Sequence, residues 1–266
     1  MVQRTWRQVR RFQEATRLGP AGLAWLGVAL ATVAGALAVL SAAAEDVTRR
    51  NGMEAHDAVR LHWFIAHRSG PLDALARAIT HVGSPAFLVG VALLSGAWLW
   101  RRGQHLIVAA APALALGIAG LTATVAKAAV GRQRPPVRLH LVTETEPSFP
   151  SGHATDSTAV YLALALVIAV VVLRSPRARA AVVGAAGALA GAIGLSRLVL
   201  GVHWPSDVIA GWSLGLAVAV VVATAAVLVA RTQPDPAGAS VDRRRLLGRA
   251  HALALTARRR PLAFGA

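Results

Sequence analysis

The chain has 266 residues, 55% of them hydrophobic, no cysteine, and a formal net charge of +16 at pH 7. Several apolar runs approach the roughly twenty residues needed to cross a hydrocarbon core of about 30 Å, which excludes a soluble globular domain and predicts an all-α, polytopic membrane protein. Without cysteine there is no disulfide framework and no thiolate metal site. The arginines sit at the ends of apolar runs and in the tails, which is the pattern of membrane topology, so no nucleic-acid partner is expected.

In chain order, Gln3–Leu18 carries Arg4, Arg7, Arg10, Arg11 and Arg17, with Trp6, Val9 and Phe12 recurring at threes, and reads as a basic helix lying on anionic headgroups. A first span runs from about Ala21 to Ala44. Its end, Ser41–Ala44 before Glu45, resembles a signal-peptidase site, but the apolar run exceeds the roughly 7–15 residues of a signal core, so a retained helix is expected. Glu45–Gly70 is an external connection with a short interfacial helix around Leu61, Trp63, Phe64 and Ile65. A second run extends from Pro71 to Trp100, longer than one bilayer requires, so its first turns with Asp73 and Arg77 should stand clear of lipid. Arg101 and Arg102 form a basic turn before a third span, about Leu106–Val130.

Gly131–Pro150 is a polar loop with four prolines. The fourth span runs from about His153 to Leu173, and Arg174, Arg177 and Arg179 form another basic turn. The fifth, about Ala180–Leu200, holds Gly184, Gly187, Gly191 and Gly194, which permit close helix packing. The sixth runs from about Pro205 to Ala230, and a basic tail follows, with a short surface helix around Leu246–Ala257. Six spans put both termini on one side. The positive-inside rule puts that side in the cytoplasm of a cell membrane, with the loops after spans one, three and five outward. Lys127, the loop to His153, Arg197 and the stretch His203–Asp207 then converge on the outer face.

Polar groups at such a junction are expensive and are functional candidates by default. Lys127, Arg134 and Arg197 are three fixed cations, and guanidinium forks match phosphate oxygens. Lys127 is the only lysine in the chain. Pro150-Ser151-Gly152-His153 opens span four, so backbone N–H groups at a helix start join those cations as an anion site. Helix capping alone also explains Ser151. His203 precedes Asp207 by four residues; a carboxylate on one ring nitrogen fixes the tautomer and leaves the other to attack phosphorus. His153 then serves as the acid on the leaving oxygen and the base for water. His56, His62, His67, His81, His105, His140 and His251 lack such support and form no convincing metal set.

Three stretches carry a resemblance: Lys127, six residues, Arg134-Pro135; Pro150-Ser151-Gly152-His153; and Ser196-Arg197, five residues, His203, three residues, Asp207. With these spacings the chain resembles the type 2 phosphatidic acid phosphatase superfamily, over Lys127–Asp207. The resemblance implies a metal-independent, cofactor-free lipid phosphatase, with Lys127, Arg134, Ser151, Gly152, His153 and Arg197 holding phosphate and His203 with Asp207 forming a phosphohistidine. It implies phosphatidate, phosphatidylglycerophosphate, isoprenyl pyrophosphate or sphingoid phosphate as substrates, read by Met53–Leu72 and the gaps between spans. Three parts are expected: a cytoplasmic basic amphipathic segment 1–19, a six-helix transmembrane phosphatase domain 20–231 and a cytoplasmic basic tail 232–266. Two other readings share the constellation: a phosphate-lipid binding or transport protein without turnover, and a vanadate-dependent haloperoxidase.

Overall fold

The computed structural model describes residues 19–232. The basic segment Gln3–Leu18, the surface helix expected around Leu246–Ala257 and His251 lie outside the described residues. Within them the chain forms eight α-helices and no strand: α1 Pro20–Arg49, α2 Asp57–Ala66, α3 Gly70–His81, α4 Pro85–Arg101, α5 Leu106–Val130, α6 Gly152–Val171, α7 Pro176–Val199 and α8 Pro205–Thr232. Five are long and apolar enough to cross a bilayer (α1, α5, α6, α7 and α8). The pair α3 and α4, bent by 49° at its junction, makes a sixth.

That bend corrects the reading of Pro71–Trp100 as one uninterrupted run. Pro85 supplies no N–H and disfavours helical geometry at Ser84, so the helix stops and restarts, with the Ser84 hydroxyl accepting from the Phe87 N–H at 3.4 Å. A Cβ on Gly83 would lie 2.4 Å from Ile193 Cγ2, so the break presses on α7. The Val82 carbonyl freed there accepts the Tyr161 hydroxyl of α6 at 2.7 Å, which satisfies backbone at membrane depth by protein. Arg77 donates to Leu141 O at 2.8 Å, which ties α3 to the polar loop as its charge required.

The core is built mostly from alanine and valine: Val108, Ala115 and Ala119 of α5, Ala159, Ala163 and Val167 of α6, and Leu214, Val218 and Val222 of α8, with Leu99 of α4. Lipid is as apolar as these side chains, so the helices associate through close packing of small residues. The closest approaches are not where the glycines of the fifth span suggested. Around Gly184, Gly187 and Gly191 nothing lies within 4 Å, and only Gly194 packs, under the Trp212 indole. It is Gly211 and Gly215 of α8 that let α6 approach, since a Cβ there would meet Ser151 O at 2.7 Å and Thr155 O at 2.4 Å. α6, the helix that opens on Gly152 and His153, is thereby clamped against the helix that carries Asp207.

α1 continues through Ser41–Ala44 to Arg49, with Ala43 fully buried in a cluster that includes Phe149 and Ala210. α2 forms where a short interfacial helix is expected, with Leu61 buried and Val59 and Trp63 exposed. The turn from α7 to α8 needs glycine at 201, where φ is +73° and a Cβ would lie 2.3 Å from Leu139 O. Arg68 fastens this turn to the loop, donating to Val199 O at 2.6 Å and Leu139 O at 2.9 Å. Burial lowers the Arg68 pKa, partly offset by Asp73.

Candidate active site

Two connections meet at one end of the bundle, the loop 131–151 and the turn 200–204. α5 ends in a left-handed cap at Gly131, whose N–H returns to Lys127 O at 2.9 Å, and the chain then turns Arg132 and Arg134 back over the helix ends. Between α4, α5, α6 and the loop lies a cavity of about 350 Å³ lined by Pro85, Gly120, Ala123, Thr124, Lys127, Arg134, Glu144, Glu146, Gly152, His153, Asp156 and His203. Of the residues expected from sequence, Lys127, Arg134, Gly152, His153 and His203 line it. Ser151, Arg197 and Asp207 stand behind that lining, each no more than 3% exposed.

His203 is itself 1% exposed, and its Nδ1 lies 3.3 Å from Asp207 Oδ2. Its Nε2 lies 3.0 Å from the Arg134 NH1. A guanidinium only donates and a carboxylate only accepts, so Nε2 must be the acceptor and Nδ1 must carry the proton. Burial lowers the His203 pKa to about 4 against the raising effect of Asp207, so the ring is neutral at neutral pH. Pro205 starts α8 and sets Asp207 in its first turn, where a carboxylate is favoured by the helix terminus. Asp207 also accepts from the Trp204 N–H at 2.9 Å and from the Ser148 hydroxyl.

The cations are held by carboxylates and carbonyls of the loop. Arg134 donates to Glu146 O at 2.7 Å and Val202 O at 2.8 Å, and its NH2 lies 3.4 Å from Glu144. Desolvation lowers its pKa despite Glu144, Asp207 and Glu146 nearby. Arg197 donates to Thr80 Oγ1 at 2.7 Å and pairs with Glu144. Lys127 donates to Pro147 O and lies 3.8 Å from Glu146 Oε2. Glu144 therefore bridges two guanidinium groups much as a phosphate would.

Ser151 occupies the N-cap position of α6 but its side chain makes no capping bond, so the capping explanation is not realised. Its Oγ, together with Arg197 Nε, is buried with no partner among the described residues. Buried polar groups are ordinarily satisfied, so unpaired donors beside a cationic cavity at a helix N-terminus favour an anionic ligand.

Sequence reasoning missed a layer beneath the histidine. Arg132 NH1 donates to Asp207 Oδ1 at 2.6 Å and Ser206 Oγ at 2.7 Å, and its NH2 donates to Asp57 Oδ2 at 2.7 Å. Asp57, at the start of α2 and 2% exposed, also accepts the Ser206 N–H at 3.0 Å and its hydroxyl. Burial disfavours the charged Arg132, but Asp207 and Asp57 more than offset it and raise its pKa. Its guanidinium also faces the Trp204 ring, 5.6 Å from the centroid. The signal that could have found this layer is an aspartate at the head of an amphipathic helix, facing the buried side beside Leu61. Among the described residues no group of His, Asp and Glu is arranged to hold a metal ion.

A membrane-spanning helical bundle with clustered guanidinium groups and a carboxylate-supported histidine at one end is the class these features define. The chain matches the PAP2 superfamily over residues 108–229, which includes every site residue expected from sequence. It is 32% identical to phosphatidylglycerophosphatase B of Bacillus subtilis (strain 168) over 148 residues, 54% of this chain and 70% of that protein. To the decaprenylphosphoryl-5-phosphoribose phosphatase of Mycobacterium tuberculosis (strain H37Rv) it is 36% identical over 166 residues, 59% of this chain and 82% of that one. Its fold is similar to the crystal structure of a transmembrane PAP2-type phosphatidylglycerolphosphate phosphatase from Bacillus subtilis, with a TM-score of 0.65 and 27% identity, covering 73% of this chain and 93% of that chain. The chain belongs to the PAP2 superfamily.

Proposed function

We propose that this lipid phosphate phosphatase hydrolyses a phosphate monoester or pyrophosphate of a membrane lipid through a phosphohistidine on His203 Nε2, without a metal, at the outer face of the cell membrane. The observation that carries the reading is the His203 tautomer: Nδ1–H on Asp207 and the Nε2 lone pair toward the cavity. A protein that only bound or carried phosphate would have no need of a supported nucleophile. The same contrast argues against a transport role, and the membrane-spanning architecture argues against a haloperoxidase, which would share the constellation.

Incoming phosphate displaces Glu144 from Arg134 and Arg197 and takes donors from Lys127, Ser151, Arg197 Nε and the N–H groups at the start of α6. Freed from Arg134, Nε2 attacks phosphorus in line with the leaving oxygen, the P–N bond forms as the P–O bond breaks, and His153 gives the leaving alkoxide a proton. Asp207 stabilises the positive charge that develops on the ring. His153 then takes a proton from water, whose oxygen attacks phosphorus, and the P–N bond breaks to return neutral His203 and inorganic phosphate. Relatives named as phosphatases of phosphatidylglycerophosphate, decaprenylphosphoryl-5-phosphoribose and lipid A have in common the phosphate, so that group is what the site has to bind.

The test is phosphate release by the purified chain in detergent with chelator present, across phosphatidate, phosphatidylglycerophosphate and an isoprenyl pyrophosphate. His203→Ala is expected to abolish release while vanadate still binds; undiminished turnover would overturn the mechanism. With the substrate's own ionisation divided out, the acid limb of kcat/KM is expected near pH 4 and not near 6.5, because His203 must lose its proton to attack.

A further inference from the structure

Asp156 lies one helical turn beyond His153 on α6, spaced so that the two side chains share a face of the helix. It lines the same cavity and is 9% exposed, and its Oδ1 is buried with no hydrogen-bond donor among the described residues. Its nearest cation is Lys127, which donates to Pro147 O and pairs with Glu146. A Cβ on Gly120 of α5 would lie 4.0 Å from that oxygen, so the carboxylate faces the space between α5 and α6. Such a group in a span is costly and calls for a partner. Nothing in the phosphate chemistry uses it: a carboxylate repels phosphate, and the proton transfers are carried by His153.

Along α6 the unpaired Ser151 hydroxyl stands before His153 and this unpaired acceptor one turn beyond it. Arg134 and His203 lie toward the loop, on the attacking side of phosphorus. In-line displacement puts the leaving oxygen beside His153, and the carbon chain attached to it continues toward Asp156. From the unpaired Asp156 oxygen at that place, we infer that the enzyme selects lipids whose leaving group carries a hydroxyl one carbon from the phosphate ester, and that Asp156 accepts its hydrogen bond. An ammonium in that place would face Lys127 and Arg134 in the same cavity, so a neutral donor is the fitting one. This rests on the proposed phosphatase reading.

The experiment compares 1-oleoyl lysophosphatidate with its 2-deoxy counterpart, which has the same chain and phosphate and lacks only that hydroxyl. A site built to bond a hydroxyl discriminates strongly against the analogue without it, so the wild-type ratio of kcat/KM is expected to be at least tenfold in favour of lysophosphatidate. Asp156→Ala is expected to bring the ratio within about twofold of one, and Asp156→Asn, which keeps an acceptor, to leave it between the two. A wild-type ratio near one overturns the inference even if no variant folds, and so does a ratio that survives in Asp156→Ala. If the wild-type protein hydrolyses neither compound nor any lipid phosphate, the phosphatase reading falls; if it hydrolyses both equally, only the role of Asp156 does.

Discussion

The bundle carries arginine at both ends and uses it in opposite ways. At the α4–α5 and α6–α7 turns, Arg101, Arg102, Arg174, Arg177 and Arg179 are exposed. Their contacts are local: Arg179 donates to Leu173 O and Arg102 lies over the Trp98 ring. At the other end Arg197 is buried and the side chains of Arg132 and Arg134 are no more than 9% exposed, and the three donate to Asp57, Asp207, Thr80 and Glu144 across four elements. An exposed guanidinium at a membrane surface costs little and biases orientation. A buried one is tolerated only where its partners are in place. The same residue type thus stays exposed at one end and packs around the candidate site at the other, and burial tells the two apart.

The difference is broken most severely at Arg197. Arg197→Ala leaves Thr80 without its partner and Glu144 with Arg134 alone, and on the proposed mechanism removes a donor fork from the phosphate, so kcat/KM is expected to fall roughly a thousandfold, with a lower unfolding temperature in detergent. Arg197→Lys keeps the charge and loses the fork, and is expected to recover no more than about tenfold of that loss. Steady-state kinetics beside thermal unfolding checks both. Full activity in the lysine variant would reduce Arg197 to a point charge.

Much of this site was legible in the sequence, because a membrane makes polar residues conspicuous. Lys127, His153 and Arg197 stood out against hydrocarbon, and the topology brought them to one face before any contact was known. Asp207 was found through its spacing from His203. What stayed hidden depends on side-chain direction or on pairing between distant segments. Arg132 looked like any arginine of the loop, and Asp57 like any polar residue of an interfacial helix; their partnership spans 75 residues. Glu144 was just one residue of the polar loop because nothing local showed that the loop folds inward there, while Glu146 stays exposed. Asp156 was passed over as well, although an acid inside a span is marked by its position alone. The bend between α3 and α4 was obscured because the apolar run is continuous in character, although Pro85 was the local sign. The fifth-span glycines misled because small residues permit packing without requiring it.

Asp57 sharpens the contrast, since it makes an interfacial helix part of the buried network without touching the cavity. Asp57→Asn keeps an acceptor for the Ser206 N–H but weakens the hold on Arg132, and through it on Asp207 and His203. We expect kcat to fall about tenfold with KM changed by less than about threefold, the signature of an interaction felt in the reaction and not in binding. A purely structural role would lower the unfolding temperature and leave kcat per folded enzyme alone. A raised KM at constant kcat would instead assign Asp57 to lipid binding.

The smallest effect on activity belongs to a pair of single cysteines, and it tests which end faces out. One is placed at Val137, in the loop at the catalytic end and 80% exposed, and the other at Arg177, exposed at the opposite end. The native chain has no cysteine, so each variant carries one reactive thiol. Both variants are expected to keep activity within about twofold, as exposed positions away from the site should. An impermeant maleimide added to intact cells should label Val137→Cys and should reach Arg177→Cys only after permeabilisation. The reverse pattern would turn the catalytic end to the cytoplasm. Burial, and not membrane side, would then be the whole of what separates the two sets of arginines.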